Sequence, residues 1–315
     1  MPVVKVSDLA YGRLQSPSLD EAEEFLVNFG MVRAARTKDA LYMRGTDPNH
    51  HLHVTHAGPS RFLGLAFFVE GEDDLKKLAK APGASGIESL DEPGGGKRVR
   101  LKDPHGYQME AICGLEQLAP LPVRKHILNT GDAKLQRAGK LVRLERGPSQ
   151  VKRIAHAVLM TQGAKEKVKW YREHFGLVPS DEVYAGPKDN IIASFNRCDR
   201  GDAYVDHHTF LCFEGANTGL NHLSFEVASF DDLMLGHEHL KRAGKYRHVW
   251  GIGRHILGSQ IFDYWKDPWD RVHEHWTDTD VLNSHHVPSL LPAEEGLGSQ
   301  WGEHAPEHFV GHAIP

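Results

Sequence analysis

The chain has 315 residues, of which 40% are hydrophobic and 25% are charged, and its formal net charge is -5. This length is enough for two domains with separate cores, and the negative charge gives no reason to expect a nucleic-acid partner. The sequence has no apolar run of the roughly 20 residues that span a bilayer and no signal-peptide core, and its three cysteines are too scattered for a disulfide framework. We therefore expect a cytoplasmic protein with no membrane partner, and the 22 histidines direct attention to metal chemistry.

The chain contains two copies of one pattern. Each copy has two amphipathic helical segments, and each ends in an Asp-Pro turn that a Glu follows at the same distance. The matching stretches are "SLDEAEEFLVNFGM" (18–31) with "AKEKVKWYREHFGL" (164–177), "LGLAFFVEGEDDLKKLAK" (63–80) with "LNHLSFEVASFDDLMLGHEHLKRAG" (220–244), and "RLKDPHGYQMEAI" (100–112) with "DYWKDPWDRVHEHW" (263–276). Such internal similarity predicts a duplicated domain.

Within each copy, β-branched and aromatic runs predict a strand, a helix and three further strands, and then the same order again. This indicates an α+β fold of two domains, each built from two βαβββ modules. We predict an N-terminal non-catalytic domain at 1–120, a linker at 121–148 and a C-terminal catalytic domain at 149–283. Residues 284–315 form a tail that is either flexible or an extended arm over a cavity or a neighbouring subunit.

The repeat selects three candidate metal ligands. His156 lies in the first strand of the third module, His222 in the first strand of the fourth, and Glu274 in the final strand. Two imidazoles and one carboxylate on one face of a metal are typical of a non-haem Fe(II) oxygenase, and Mn(II) can use the same ligands.

Strand alternation places Glu274 on the opposite face from His273 and His275. The first copy decides between the two faces, because counting from the shared Asp-Pro places Glu110 at the position of Glu274. Glu274 is therefore the expected ligand, and the two flanking histidines are expected to point away.

The N-terminal copy has lost the other two ligands. Aligning the first strands places Ala10 opposite His156, and aligning "LGLAFF" with "LNHLSF" places Gly64 opposite His222. We predict that this copy binds no metal and serves as a scaffold. Its histidine-rich stretch "DPNHHLHVTHAG" (47–58) is interpreted as a strand with solvated or interface histidines.

The C-terminal copy resembles the catalytic domain of the type I extradiol ring-cleavage dioxygenases, such as catechol 2,3-dioxygenase, in the vicinal oxygen chelate superfamily. The resemblance extends from about Val3 to Asn283. The family signature of Gly-x-His, Tyr, Asp-Pro and the ligand Glu is matched by "GRH" at 253–255, Tyr264, Asp267-Pro268 and Glu274.

This resemblance implies extradiol (meta) cleavage of a catechol-type diol or triol with O2, giving a ring-opened semialdehyde or keto acid. It implies Fe(II) held by His156, His222 and Glu274, with Mn(II) as an alternative metal. The acid/base is expected in "DHHTFLCF", where the family favours His207 and alternation admits only one of His207 and His208 to the cavity.

The resemblance also implies that His255 and Tyr264 hydrogen-bond the substrate oxygens. The expected partners are a small aromatic diol and O2, and we expect a homo-oligomer. Two residues depart from the family pattern: Asp263 precedes Tyr264 where an apolar residue is usual, and Asp270 replaces a Gly after the turn. Both are expected to reshape the rim of the pocket.

The substrate is expected to be uncharged. Relatives that act on carboxylated catechols resemble one another in carrying an Arg where this chain has Trp250, and Val158 is also apolar. Arg247 and Arg254 are nearby cations that argue the other way. Two rival functions share the fold: a glyoxalase-like metal-dependent isomerase, and a non-catalytic protein that binds aromatic ligands or drugs.

Overall fold

The computed structural model describes residues 1–124 and 127–315. The N-terminal half contains two modules with the same order of elements. The first module comprises β1 (Asp8–Ser16), α1 (Leu19–Phe29), β2 (Val32–Arg36), β3 (Ala40–Arg44) and β4 (His53–Ala57). The second comprises β5 (Arg61–Phe68), α2 (Glu72–Leu78), β6 (Glu88–Ser89), β7 (Lys97–Lys102) and β8 (Gln108–Cys113).

The C-terminal half repeats this order. Its modules comprise β9 (Val151–Thr161), α3 (Ala164–Phe175), β10 (Leu177–Tyr184), β11 (Ile191–Cys198), β12 (Val205–Asp206) and β13 (Phe210–Glu214), then β14 (Gly219–Val227), α4 (Phe230–Ala243), β15 (Arg247–His255), β16 (Ile261–Lys266) and β17 (Val272–Thr277). The α+β prediction of βαβββ modules is confirmed. Residues 125 and 126 of the predicted linker lie outside the described residues.

The final residues add short elements to the second half. These are β18 (Val281–Leu282), β19 (Ser289–Pro292), α5 (Ala293–Gly296), β20 (Ser299–Trp301) and α6 (Glu307–Val310). β19 pairs with β10 and β20 pairs with β15, so both extend the large sheet. Among the described residues, no helix combines the length and apolar character needed to cross a bilayer.

Side-chain caps and left-handed glycines set the helix boundaries. The hydroxyls of Ser18 and Ser229 accept hydrogen bonds from backbone N–H groups in the first turns of α1 and α4. Gly30 ends α1 and Gly244 ends α4 in the αL conformation, which a residue with a side chain adopts only at a steric cost. The Phe-Gly and Ala-Gly sequences at these positions therefore stop the helices where the strands begin.

The centre of each sheet has the same pairing. The eight-stranded sheet contains the order β4-β1-β5-β8, and the ten-stranded sheet contains the order β13-β9-β14-β17. In both, the two first strands are antiparallel, and each pairs in parallel with the last strand of its own module. Residues at matching positions of the modules therefore meet in the middle of the sheet.

The two halves pack against each other through aromatic residues. His275 Nε2 donates to the Phe29 carbonyl at 2.6 Å, and the two rings stack with centroids 3.7 Å apart. His273 Nε2 lies 3.3 Å from His53 Nε2 of the first half, and its ring stacks on Phe225. The outward-facing histidines of β17 thus belong to the contact between the halves, which leaves the other face of this strand for the site described below.

Candidate metal centre

Three side chains from the central strands of the larger sheet converge on one point. Glu274 Oε2 lies 3.0 Å from His156 Nε2 and 3.4 Å from His222 Nε2, and the two imidazole nitrogens are 3.4 Å apart. The pairing places Ser224 of β14 beside both His156 and Glu274, so adjacent strands align the three side chains. Ligand atoms about 2.1 Å from one ion, at angles near 100°, are separated by about 3.2 Å. The donor set and its spacing therefore fit a divalent metal.

The surroundings of Glu274 and His222 keep these two groups in the forms that bind metal. Burial alone would raise the pKa of the Glu274 carboxyl, but the contacts with His156, His222 and His255 outweigh it and hold the pKa well below its usual range. Burial lowers the pKa of His222 to about 4, even though Glu274 opposes this. A carboxylate and neutral imidazoles are the ligand forms of these side chains.

The hydrogen bonds around the ligands orient them. His222 Nδ1 donates to the side-chain oxygen of Asn221 at 2.7 Å, which leaves the lone pair of Nε2 directed at the other two ligands. The Ser224 hydroxyl donates to Glu274 Oε2. Glu274 Oε1 is buried and has no hydrogen-bond partner among the described residues. A bound cation would compensate for this unpaired oxygen.

A largely apolar cavity of about 440 Å³ opens beside these ligands. Its walls contain His156 and His222 together with aliphatic and aromatic side chains, among them Val158, Ile192, Phe195, Leu211, Phe213, Trp250, Leu257 and Phe309. No Lys or Arg of the described residues lines it. The space suits an aromatic ring with an uncharged substituent.

His208 lines this cavity, whereas His207 Nε2 is directed at Asp181, so the geometry favours His208 over the predicted His207. The His208 ring lies 4.2 Å from the His156 ring, while His207 Nε2 lies 2.7 Å from Asp181 Oδ2. Residues 207–209 form a bend between β12 and β13, so the alternation of β13 does not continue to them. In an uninterrupted strand His207 would face the cavity, and the bend turns His208 to it instead.

His207 nevertheless contacts His208. Their Nδ1 atoms are 3.0 Å apart. Hydrogen bonds to His207 and Ser289 outweigh burial and lower the pKa of Asp181, so Asp181 is a carboxylate that accepts from His207 Nε2. With Nε2 donating to Asp181, His207 Nδ1 is placed to accept from His208 Nδ1, and this arrangement leaves His208 Nε2 as the nitrogen with a free lone pair.

His255 and Tyr264 lie together at the cavity wall. His255 Nε2 lies 2.9 Å from the Tyr264 hydroxyl and 3.6 Å from Glu274 Oε1. Tyr264 is opposite Glu274 in the register of β16 and β17, and its ring is perpendicular to the His222 ring. Burial, followed by the charge of Glu274, raises the pKa of Tyr264 well above its usual value, so Tyr264 is a neutral hydrogen-bonding group.

Comparison with known proteins supports the resemblance that the sequence motifs indicate. Residues 153–272 match the family model described as the Glyoxalase/Bleomycin resistance protein/Dioxygenase superfamily. The chain is 29% identical over 308 residues to metapyrocatechase 2 of Cupriavidus necator, covering 97% of this chain and 92% of that protein. This similarity supports the resemblance to the type I extradiol dioxygenases over nearly the whole chain.

Two solved structures share the fold. Homoprotocatechuate 2,3-dioxygenase from Brevibacterium fuscum, in complex with 3,4-dihydroxyphenylacetate, has a TM-score of 0.80 and 17% identity, covering 99% of this chain and 94% of that chain. The Mn(II)-bound glyoxalase from Novosphingobium aromaticivorans has a TM-score of 0.78 and 21% identity, covering 99% of this chain and 96% of that chain. At these identities both likenesses concern the fold alone.

Both departures from the family signature lie outside the cavity, so the expectation that they reshape its rim is wrong. Asp263 is fully buried on the face of β16 opposite to Tyr264, as strand alternation requires. Asp270 adopts a left-handed φ of 67° in the turn after β16, where the family's usual Gly would be unstrained, and it pairs with Arg247. Arg254 pairs with Asp278, so both nearby arginines are neutralised away from the cavity.

The C-terminal residues form an arm over the cavity, which is one of the two alternatives that the sequence left open. Phe309 packs against the rings of His222 and Tyr264. The Asn221 amide donates to the carbonyls of Phe309 and His312. The arm thereby fixes the orientation of Asn221, which in turn orients His222.

The pairing of strands corrects the alignment of the two copies. Ser224 is opposite both His156 and Glu274, and in the first half Ala66 is opposite both Tyr11 and Glu110. Tyr11, rather than Ala10, therefore occupies the position of His156. The pairing skips Ala10 in the first half and Ala155 in the second, so Leu9-Ala10-Tyr11 matches Ile154-Ala155-His156 and the alignment of Ala10 with His156 is one residue out.

The first half also contains an equivalent of the His207–His208 pair that sequence reasoning missed. The same register aligns His50 and His51 with them, and the Nδ1 atoms of His50 and His51 are likewise 3.0 Å apart. The signal was the shared His-His dipeptide of "NHHLHV" and "DHHTFL". Both residues are buried, so the prediction of solvated or interface histidines is wrong for them.

Proposed function

We propose that this chain catalyses extradiol cleavage of an uncharged catechol-type diol or triol with O2, at a non-haem Fe(II) held by His156, His222 and Glu274. The convergence of these ligands beside an apolar cavity supports the proposal. When bound, the metal would acidify the diol hydroxyls and pass electrons from the ring to O2. Mn(II) is the alternative metal for the same ligands.

His208 is the proposed acid/base, in place of His207. Burial and the neighbouring His156 and His207 lower the pKa of His208, so it is neutral at pH 7 and can accept a proton from a bound diol. The contact with His207 directs the Nε2 lone pair toward the cavity. His207 and Asp181 are positioning residues in this proposal, because neither touches the cavity.

His255 and Tyr264 position the substrate. The Tyr264 hydroxyl and His255 Nε2 already face each other across 2.9 Å, so a substrate oxygen can hydrogen-bond to either. The walls formed by Val158 and Trp250 exclude water and favour an uncharged ring substituent. Both oxygen atoms of O2 enter the product, a ring-opened semialdehyde or keto acid.

We also propose that residues 149–283 carry the chemistry, with residues 1–120 as a scaffold joined by a linker at 121–148. The final residues, 284–315, close the cavity. We expect the protein to be cytoplasmic, to form a homo-oligomer and to act on a small aromatic diol.

Oxygen uptake with a panel of catechols, followed together with the yellow colour of ring-opened product, tests this function. We expect stoichiometric O2 consumption by protein loaded anaerobically with Fe(II). Binding of the catechols without O2 consumption by the fully loaded protein would favour an isomerase or a non-catalytic binding protein. Bound ligand with no bound iron or manganese would favour the binding protein.

Three variants of β17 test the ligand assignment. Glu274→Ala should lose iron and activity, because it removes the single carboxylate ligand. His273→Ala and His275→Ala should keep both, because these side chains face the first half of the molecule. Metal analysis and oxygen uptake distinguish the outcomes, and the reverse pattern would contradict the assignment.

A further inference from the structure

A second group of two histidines and a carboxylate lies on the face of β16 that points away from the cavity. Asp263 Oδ1 lies 3.1 Å from His237 Nδ1 of α4 and 2.8 Å from His248 Nε2 of β15. One ligand atom from each of the three lies within 4.8 Å of the other two. We propose that His237, His248 and Asp263 form a second metal site, which takes a divalent transition-metal ion such as Zn(II).

The donor set favours this class of ion. Two imidazoles and one carboxylate, with water as the fourth ligand, suit tetrahedral Zn(II). The nitrogen-to-oxygen distances resemble those of the first centre, where Glu274 Oε2 lies 3.0 Å and 3.4 Å from its two imidazoles. Each imidazole must be neutral and must direct a lone pair at the ion. Bonds to the ion would therefore replace the hydrogen bonds between the two histidines and Asp263.

The surroundings of Asp263 orient one oxygen toward such an ion. Trp265 Nε1 donates to Asp263 Oδ2 at 2.6 Å; Oδ1 is the oxygen that contacts both imidazoles, whereas Oδ2 contacts only that of His237, at 3.2 Å. This resembles the hydrogen bonds by which proteins orient metal-ligating carboxylates. Gly251 is opposite Asp263 in the strand pairing, and a Cβ at Gly251 would lie 3.2 Å from Oδ1. The missing side chain leaves this oxygen room for a ligand.

Charge and access also support the site. The Asp263 side chain is fully buried, and among the described residues its ion-pair partners are only the two histidines. Arg247 and Lys266, which are opposite each other in the pairing of β15 and β16, pair with Asp270 instead. A buried carboxylate without a permanent positive partner is costly, and a divalent ion would supply that charge. The His248 side chain is 31% exposed, so ion and water can reach the site from solvent.

The site is separate from the proposed catalytic centre but uses the same strand. Asp263 and Tyr264 are neighbours in β16 and project to opposite faces of the sheet. An ion here would tie α4 to the strand that carries Tyr264.

Counting metals in the iron-loaded full chain tests the proposal. After incubation with Zn(II) and removal of free metal, we expect one iron and one zinc per chain by elemental analysis. The double variant His237→Gln/His248→Gln should lose the zinc and keep the iron. Glu274→Gln should do the reverse. Each single histidine variant should weaken zinc binding by at least about 10-fold, the smallest effect expected even from an outer-shell change.

His239→Gln is the matched control, because His239 is on the same helix and its Nε2 contacts Asn28. It should keep both metals. Co(II) in place of zinc should give the intense visible absorption of a tetrahedral site, absent from the double variant. Absence of zinc uptake by the iron-loaded chain, or equal uptake by the double variant, would overturn the proposal. Neither result depends on catechol cleavage, so the two proposals can fail separately.

Discussion

The two halves of the molecule bury a carboxylate at the same position and surround it differently. In the second half, Glu274 faces His156 and His222. In the first half, Glu110 accepts hydrogen bonds of 2.8 Å from Arg13 Nε and from the Tyr11 hydroxyl. A guanidinium from the chain therefore takes the place that the proposal gives to a metal ion.

This difference identifies a requirement that both sheets share. A fully buried carboxylate at this point of the sheet needs a positive partner, because an unpaired buried charge costs several kcal/mol. Arg13 occupies the position equivalent to Val158, two residues along the strand from Tyr11 and His156 respectively. Arg13 supplies the charge in one half, and the proposed cation supplies it in the other.

The largest expected effect comes from removing each carboxylate in turn. Glu274→Gln should abolish iron binding and oxygen uptake, because an amide is a poor ligand in this site. Glu110→Gln should leave both unchanged and lower the free energy of unfolding by about 3 kcal/mol, since it leaves the buried Arg13 with fewer partners. Elemental analysis, oxygen uptake and urea unfolding measure these outcomes. Loss of iron from Glu110→Gln would refute the assignment of metal binding to the second half alone.

The histidine pairs give the next comparison, because both halves contain one but only His208 adjoins candidate ligands. His208→Asn should keep the metal and lower kcat by about 10²- to 10⁴-fold, the usual contribution of an acid/base group. His51→Asn, at the equivalent position of the first half, should leave kcat unchanged. His207→Asn should have an intermediate effect with unchanged metal content, because it removes the group that orients His208. Equal kcat values for the His208 and His51 variants would refute the assignment.

The sequence predicted the framework well because the framework is repeated. The order of elements could be read twice, and Glu110 set the strand phase of Glu274. The bend at His207 is a local irregularity that displaces a side chain relative to an ideal strand. The alignment of Ala10 with His156 was instead one residue out, because both first strands shift register at this point and Tyr11 is the true counterpart of His156.

Other features were missed for different reasons. The direction of Asp263 was available from the sequence, since a strand that turns Tyr264 to the cavity must turn Asp263 away. The path of the C-terminal arm was not available, because its contacts are tertiary and its sequence has no periodicity. The hydrogen bonds from Asn221 to the carbonyls of Phe309 and His312 depend on backbone positions that no local pattern encodes.

Removing the positive partner in the first half should cost stability without affecting chemistry. Arg13→Met leaves Glu110 buried without its closest cation, and we expect the free energy of unfolding to fall by about 3 to 5 kcal/mol. Adding Glu110→Gln to this variant should restore part of the loss, because the unpaired charge is then gone. Urea unfolding of the two variants measures the difference. A double variant no more stable than Arg13→Met would show that the ion pair is not the source of the loss.

The smallest expected effect tests whether the halves depend on each other. His53 and His273 meet at the contact between the halves, and burial lowers the pKa of His273 to about 4 and that of His53 well below its usual value. Because the folded state holds these groups neutral, their contribution is complete above the unfolded pKa of about 6.5 and is lost as the pH falls toward 4.

Each of these histidines should therefore cost about 1 kcal/mol of stability between pH 7.5 and pH 5.5. His273→Gln removes one titrating group, so the unfolding free energy of metal-free protein should fall by about 1 kcal/mol less over this range than in the parent chain. His285→Gln is the control, because His285 is an exposed histidine whose side chain is 78% accessible, and it should leave the pH dependence unchanged. An unchanged slope in His273→Gln would mean that the contact between the halves opens before His273 is protonated. The two halves would then unfold as separate units, and the stability of the first half would not protect the proposed metal centre of the second.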